Sequence, residues 1–186
     1  MPKNDNVKSI RLYDSVKSHV DQTAADKMAE TVYLSKSADF KRKFKWAEDV
    51  SDYLNSNFGD EQIKNIRMDC SCAPSPKHIE AVKKLYQSSD NPKDFCEKYN
   101  TDYAGKHSVW YDNGEYFFSY PRCMCDCIQR VNRPISKTWC LCTLGYTKKM
   151  FDAVFDCETK VELIESIKTG GSRCFIKIIK DEVSNL

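Results

Sequence analysis

Apolar residues recur at helical spacing through the first third of the chain. Between Ile10 and Leu34 they stand four residues apart, at Val16, Val20, Ala24, Met28 and Val32. This period places them on one face, so we predict one long amphipathic helix here. The same spacing predicts a second helix over residues 40–54.

Glycine and proline signals divide the next stretch into shorter helices. We expect a short helix after Gly59, where the polar chain carries apolar residues again. Ser75-Pro76 and Asn91-Pro92 each put a capping side chain before a proline at the first helical position. These signals predict two further helices, which makes residues 1–105 mostly helical.

Residues 106–186 have a different pattern, in which strands alternate with a helix. Asn113-Gly114 lies between two aromatic-rich runs and predicts a β-hairpin. A helix is expected from Ser136 or Thr138 onward. Alternating residues over 159–167 and 173–180, joined by Gly170-Gly171, predict a second hairpin.

The order of these elements and the composition define the class of protein. Helices followed by two β-hairpins flanking a helix predict an α+β fold with a mainly antiparallel sheet. A length of 186 residues fits a single domain over 1–186. The net charge of +2 is too small to attract nucleic acid or an anionic membrane. With neither an apolar span nor a secretory leader in the sequence, we expect a cytoplasmic protein.

Seven of the ten cysteines occur in three clusters with alternate spacing. They are Cys70 and Cys72, then Cys123, Cys125 and Cys127, then Cys140 and Cys142. Side chains two residues apart share one side of an extended segment, so the members of a cluster can converge. In a reducing compartment such cysteines are thiols or metal ligands. All seven are therefore candidate metal ligands.

Two chemistries remain open for these clusters. Four thiolates complete a tetrahedral zinc site, and four thiolates also hold an iron–sulfur cluster. Zinc is the cofactor we expect, with an iron–sulfur cluster as its alternative. Reactive thiols without a metal are the second chemistry. Cys96, Cys157 and Cys174 stand apart from the clusters and are expected in the core.

An enzymatic use of the cysteines makes a different prediction. A cysteine near a helix N-terminus, Cys140 or Cys142, would act as nucleophile because the helix dipole stabilises a thiolate. His78 or Glu165 would assist it as a base. Aromatic residues around the clusters could line a pocket for a small apolar or aromatic ligand, although core packing is the more common role of aromatic hairpin residues.

The C-terminal third resembles a known family. The segment Thr138 to Tyr146, Glu165, and the run from Gly170 to Ile178 resemble the small-molecule-binding domain related to bacterial 4-vinyl reductases. Glu165 and Cys174 are the matching positions. The glycine turn before Cys174 is also similar to the ending of aminothiazoline-carboxylate hydrolases. In addition, the stretch Tyr120 to Cys140 resembles an uncharacterised bacterial domain family.

These observations lead to one functional hypothesis and one rival. The hypothesis is a small-molecule-binding or sensory domain with a cysteine-rich metal or thiolate site. The rival is a hydrolase or another thiol-dependent enzyme with a cysteine nucleophile. We expect a small apolar or aromatic ligand as partner. Whether the protein also forms a homodimer is left open by the sequence.

Overall fold

The computed structural model describes residues 6–180, and the contacts within it group the chain into two compact units. Within the described residues, the first unit comprises residues 6–71 and 124–145, and the second comprises residues 72–123 and 146–180. The single domain over 1–186 stays a prediction.

Helices account for most of the regular structure. They are α1 (Val7–His19), α2 (Gln22–Thr31), α3 (Phe40–Asn57), α4 (Asp60–Asp69), α5 (Pro76–Gln87), α6 (Pro92–Asp102), α7 (Lys137–Cys140) and α8 (Cys142–Phe155). The strands are β1 (Ser108–Asp112), β2 (Glu115–Tyr120), β3 (Thr159–Glu165) and β4 (Cys174–Lys180). The predicted α+β class, with helices first, is confirmed.

The prediction of one long helix from Ile10 to Leu34 is wrong. The structure has α1 and α2 instead, because α1 ends at His19 and Asp21 caps a new helix. The Asp21 side chain accepts a hydrogen bond from the backbone N–H of Ala24 at 2.7 Å. This bond satisfies one of the free donors at a helix start, which favours the break.

The other helix starts follow the sequence signals. Ser75 caps α5 by accepting from the N–H of His78, and Asn91 caps α6 by accepting from Lys93 and Asp94. In both helices proline takes the first position, where its missing N–H costs nothing. The predicted helices after Gly59, Ser75 and Asn91 are confirmed.

A four-stranded antiparallel sheet in the order β1-β2-β4-β3 lies within the second unit. Asn113 and Gly114 join β1 to β2 with positive φ angles of 48° and 86°, the conformation that a tight hairpin turn requires. β3 and β4 pair as the second predicted hairpin, but a 3-10 turn at Ile167–Thr169 precedes the glycines of its connection. The predicted sheet is confirmed.

Aromatic rings fill the core of the second unit beneath this sheet. Phe118 is 1% exposed, and its ring meets those of Tyr99, His107, Tyr120 and Phe151 at centroid distances of 4.8–6.3 Å. Burying rings of this size stabilises a small unit strongly. Among residues 6–180, no helix combines the length and the apolar character that crossing a bilayer requires.

Candidate functional site

A buried arginine on α4 is the centre of the candidate site in the first unit. Arg67 is only 3% exposed and follows the buried Ile66 on the inner face of α4. Ser15 of α1 fixes this face by donating a hydrogen bond to the carbonyl oxygen of Ile66 at 2.8 Å. Arginine is rarely buried without an anionic or π partner, so its surroundings are informative.

The guanidinium of Arg67 contacts a thiol and an indole. Its Nη1 donates to Sγ of Cys70 at 3.2 Å, and its Nη2 donates to the backbone oxygen of Trp139 at 3.0 Å. Its Cζ lies 4.2 Å from the centroid of the Trp139 ring, a cation–π distance. Its Nε is buried without a hydrogen-bond partner among the described residues.

Cysteines surround this guanidinium. Burial acts to lower the pKa of Arg67, but the charges that Cys70, Cys142, Cys125 and Cys127 carry when ionised raise it above its ordinary value. A guanidinium stays protonated at any physiological pH, so a buried one requires an anion nearby. The cysteines around it are therefore the groups that can provide the balancing charge.

Cys125 accepts a hydrogen bond from the side chain of a buried tryptophan. The indole Nε1 of Trp139 donates to Sγ of Cys125 at 3.4 Å. Pairing with the neighbouring Cys127 thiol, followed by the bond from Trp139, lowers the pKa of Cys125 below that of a free thiol, although burial opposes this. The same pairing raises the pKa of Cys127. Of these two cysteines, Cys125 is therefore the one whose thiolate form the surroundings favour.

The residue between these cysteines ties their loop to two helices. The carboxylate of Asp126 lies 3.6 Å from Nζ of Lys8 on α1 and 3.2 Å from Nζ of Lys43 on α3. Both lysines lower the pKa of Asp126 and keep it anionic. Although each exposed ion pair contributes little, the two together orient the loop that carries the thiols.

A glycine brings the end of α4 close to the start of α8. A Cβ placed on Gly145 would lie 1.9 Å from the backbone oxygen of Met68 and 2.7 Å from Oγ of Ser71. Any other residue would clash with backbone there, so only glycine permits this approach. The approach sets Cys142, three residues before Gly145, beside the end of α4 that carries Arg67 and Cys70.

The structure brings five of the seven candidate ligands into one unit. Cys70, Cys125, Cys127, Cys140 and Cys142, here called the thiol cluster, all belong to the first unit, whereas Cys72 and Cys123 belong to the second. Within residues 6–180, no three Cys, His, Asp or Glu side chains are placed to hold a metal ion. What the structure shows of the thiol cluster is thus its grouping around Arg67. Binding of zinc or of an iron–sulfur cluster stays a prediction.

Cys140 and Cys142 are the two cysteines that the sequence suggests as nucleophiles. Cys140 is the last residue of α7 and is 9% exposed, and Cys142 is the first residue of α8. Burial raises the pKa of Cys142 despite the charge of Arg67. The surroundings therefore favour Cys125 over Cys142 as the thiolate.

The predicted bases both have other partners in the second unit. The His78 ring packs edge-on against those of Tyr103 and His107, and burial lowers its pKa. Glu165 accepts a hydrogen bond from the backbone N–H of Ser172, which lowers its pKa and closes the glycine turn. Each side chain thus has a structural role in its own surroundings.

The isolated cysteines and the aromatic residues meet the core expectation only in part. Cys96 is buried at 7% exposure, as expected. Cys157 and Cys174 are half-buried, so the expectation of core positions is wrong for them. Tyr116 and Phe118 pack in the sheet core, whereas Trp139 covers Arg67.

Arg67 is the functional residue that the sequence analysis missed. In the sequence it looks like one more charge on a polar helix, although it stands three residues before Cys70, which is one helical turn. Lys8 and Lys43 were missed because their partner, Asp126, is more than eighty positions from Lys43. The helical spacing of Arg67 and Cys70 was the one local signal available.

Structure comparison finds similarity to H-NOX domains from Shewanella oneidensis. A triple-substituted variant in the Fe(II) state has a TM-score of 0.45 and 16% identity, with 97% of each chain covered. A domain in the Fe(II)CO state has a TM-score of 0.42 and 14% identity, with 95% of this chain and 98% of that chain covered. A third structure, in the Fe(II)NO state, has a TM-score of 0.41 and 14% identity, over 94% and 97% of the two chains. Similarity at this level does not assign a ligand to this chain.

Sequence comparison gives the affiliation of the chain. No curated protein matches it. The relation to the 4-vinyl-reductase-related domain stays a prediction, whereas the expectation of an uncharacterised family is confirmed by a family model that matches residues 1–184. The chain therefore belongs to the family of unknown function DUF6144.

Proposed function

We propose that this protein is a sensory domain whose working site is the thiol cluster, held as thiolate by Arg67 without a metal. It would respond to small electrophilic or oxidising molecules, because a thiolate is the reactive form of cysteine. The observation that carries this proposal is the buried guanidinium of Arg67, with Cys70 as hydrogen-bond acceptor.

The charge balance supports a metal-free site. Arg67 already places a permanent positive charge among the thiols, and a zinc ion bound there would be repelled by it. A thiolate instead gains from the guanidinium and from the indole N–H of Trp139. Neither the guanidinium nor the indole N–H reacts with the thiolate that it stabilises. The site can therefore stay in its anionic form until a reactive molecule arrives, as a sensor requires.

An enzymatic function is the rival, and the partners of the predicted bases weaken it. A cysteine hydrolase needs a base within hydrogen-bond reach of its nucleophile. The side chain that donates to Cys125 is that of Trp139, and an indole is not a general base. A thiolate that is already stabilised needs no base to react with an oxidant.

Metal content and thiolate absorbance together test the proposal. Protein purified under reducing conditions without added metal is analysed for zinc and iron, and its ultraviolet thiolate absorbance is titrated with pH. We expect no stoichiometric metal and a thiolate signal that persists below the range of free cysteine. Arg67→Met should shift this signal to higher pH, while the exposed Arg11→Met should not.

Two results would overturn the proposal. One is tightly bound stoichiometric zinc or iron that is lost when Cys125 or Cys70 is replaced. The other is a thiolate titration unchanged in Arg67→Met. Should that variant fail to fold, Cys125→Ser provides the second measurement, since it must abolish the low-pH thiolate signal.

A further inference from the structure

We propose that the first unit contains a second ligand site, a cleft that binds a small carboxylic acid with an aromatic or apolar body. This cleft, here called the Trp46 cleft, has a volume of about 310 Å³. Its lining comes from the connection between α2 and α3 and from the first turns of α3. A volume of this size lies within the range of pockets that hold small molecules. The inference goes beyond the proposed function, since it requires no thiolate.

A buried indole N–H is the observation that points to a ligand. Trp46 lines the cleft although it is only 4% exposed. Its Nε1 is buried and finds no hydrogen-bond acceptor within residues 6–180. A buried donor without an acceptor costs free energy, and most buried polar groups in folded proteins have a partner. A bound molecule with an acceptor oxygen would remove this cost.

Arg42 supplies the charge that a carboxylate requires. It precedes Trp46 by four residues on α3 and also lines the cleft. Side chains four residues apart on a helix start about 5–6 Å from each other, so one carboxylate can accept from both. Arg42 is exposed, and no ion pair engages its guanidinium among the residues that the structure describes. A guanidinium also presents paired donors that match the two oxygens of a carboxylate.

The other charges in the lining compensate each other. Lys45 and Asp49 form an ion pair, with 2.6 Å between Nζ and Oδ1. Asp39 lies outside the lining, and its carboxylate accepts from the backbone N–H of Arg42 at 2.8 Å rather than from the side chain. Arg42 is therefore the charge of the lining that remains uncompensated. A monoanion balances it.

The apolar part of the lining selects the body of the ligand. Leu34 is 2% exposed and Ala38 is 8% exposed, and both line the cleft beside Trp46. Tyr33 adds a ring that is 55% exposed. A ligand with an aromatic ring or a short alkyl chain would bury apolar surface against these side chains. A compact inorganic anion would use only the charge, so the lining favours an organic acid.

The Trp46 cleft adjoins the candidate thiolate site through one ring contact. Trp46 meets Trp139 edge-on, with 5.3 Å between ring centroids, and Trp139 covers Arg67. The indole of Trp46 thus has one neighbour at the thiol cluster, while its N–H has no acceptor there. Ligand binding in the cleft would fix the Trp46 ring without any chemistry at the thiols.

The experiment is a titration of the ¹⁵N-labelled full-length protein with phenylacetate, followed by NMR through the indole N–H signals of its three tryptophans. Trp46→Phe identifies the signal of Trp46. We expect this signal to move downfield and to saturate, because Nε1 gains an acceptor. The signal of Trp110, which does not line the cleft, should stay in place. The neutral alcohol 2-phenylethanol should bind about tenfold more weakly, because it lacks the charged acceptor.

Two exposed positions on α3 provide the variant and its matched control. Arg42→Met should weaken phenylacetate binding about tenfold, since it removes a charged donor. Lys41→Met removes the same charge outside the lining and should bind as the wild type does. Because both side chains are exposed, both variants should fold.

Two results would overturn this inference. One is the absence of a saturable shift of the Trp46 signal at millimolar phenylacetate. The other is equal affinity where the carboxylate contact predicts a difference, either between Arg42→Met and Lys41→Met or between phenylacetate and 2-phenylethanol. Neither result affects the proposed function, because the titration reports no metal and no thiolate. Conversely, stoichiometric metal at the thiol cluster would overturn the proposed function and leave the Trp46 cleft as inferred.

Discussion

Arg67 and Trp139 make a two-point contact, in which one residue supplies both the π face and the hydrogen-bond acceptor. The guanidinium lies 4.2 Å above the indole centroid and donates to the backbone oxygen of the same tryptophan at 3.0 Å. The Trp139 ring is held in turn edge-on by Trp46, at 5.3 Å between centroids. The plane of the guanidinium is therefore fixed, and Nη1 is directed at Cys70.

Arg67→Lys tests whether this planar geometry matters beyond the charge. Lysine keeps the positive charge but loses the stacking plane and the forked donors. We expect a loss of about 2 kcal/mol in the free energy of unfolding, measured with urea. The exposed Arg11→Lys is the matched control and should change stability little. Equal stability of the two variants would show that charge alone is sufficient.

Gly145→Ala tests the close approach that places α8 beside α4. The added methyl would meet the backbone oxygen of Met68, which cannot move without displacing the end of α4. We expect destabilisation of about 1–3 kcal/mol or more in thermal or urea unfolding. Gly59→Ala is the control, because nothing lies within 4 Å of its added Cβ. If the two substitutions cost the same, the close packing at Gly145 is wrong.

The elements that the sequence predicted well are those with local causes. Ser75 and Asn91 cap helices through bonds to residues two or three positions away, and Asn113-Gly114 makes its turn by its own φ angles. Such causes can be read without the fold. The cause of the break at Asp21 is equally local, since its side chain caps α2. The four-residue spacing of apolar residues continues across Asp21, however, so the spacing alone predicted one helix.

The candidate site could be predicted only as a set of cysteines. Convergence of the Cys125 and Cys127 side chains, which the alternate spacing indicates for an extended segment, stays a prediction. The buried position of Arg67 depends on packing among α1, α4 and α7, which sequence spacing cannot report. Without Arg67, a set of thiols is more typical of a zinc site than of a stabilised thiolate.

Asn100→Asp tests the link between α6 and the start of β1. The Asn100 amide donates to the backbone oxygen of Val109 at 2.9 Å and accepts from its N–H at 2.8 Å. Aspartate keeps the acceptor but turns an anionic oxygen toward the carbonyl. We expect a loss of about 1–3 kcal/mol near neutral pH, and Asn65→Asp, at an exposed position of α4, serves as control. A loss no larger than that of the control would contradict this role.

His107 predicts a decline in stability as the pH falls. Its Nδ1 and the Tyr99 hydroxyl share a hydrogen bond of 2.6 Å, in which Nδ1 of the neutral ring can act as the acceptor. Burial, with smaller contributions from the charges of His78 and Lys106, lowers the pKa of His107 to about 4. An unfolded histidine titrates at about 6.5, so the unfolded chain binds more protons between these values. Stability contributed by neutral His107 is thus complete above about pH 6.5 and is lost as the pH falls toward 4.

The measurement is urea unfolding across that pH range for the wild type and His107→Gln. Glutamine keeps an acceptor for Tyr99 but does not titrate, so the variant should lose less stability on acidification. The difference between the two slopes, integrated over the range, should be at most about 3 kcal/mol, since one pKa unit corresponds to about 1.4 kcal/mol. His19→Gln, at an exposed position on α1, should retain the pH dependence of the wild type. If His107→Gln also retains it in full, the proton that destabilises the fold binds elsewhere.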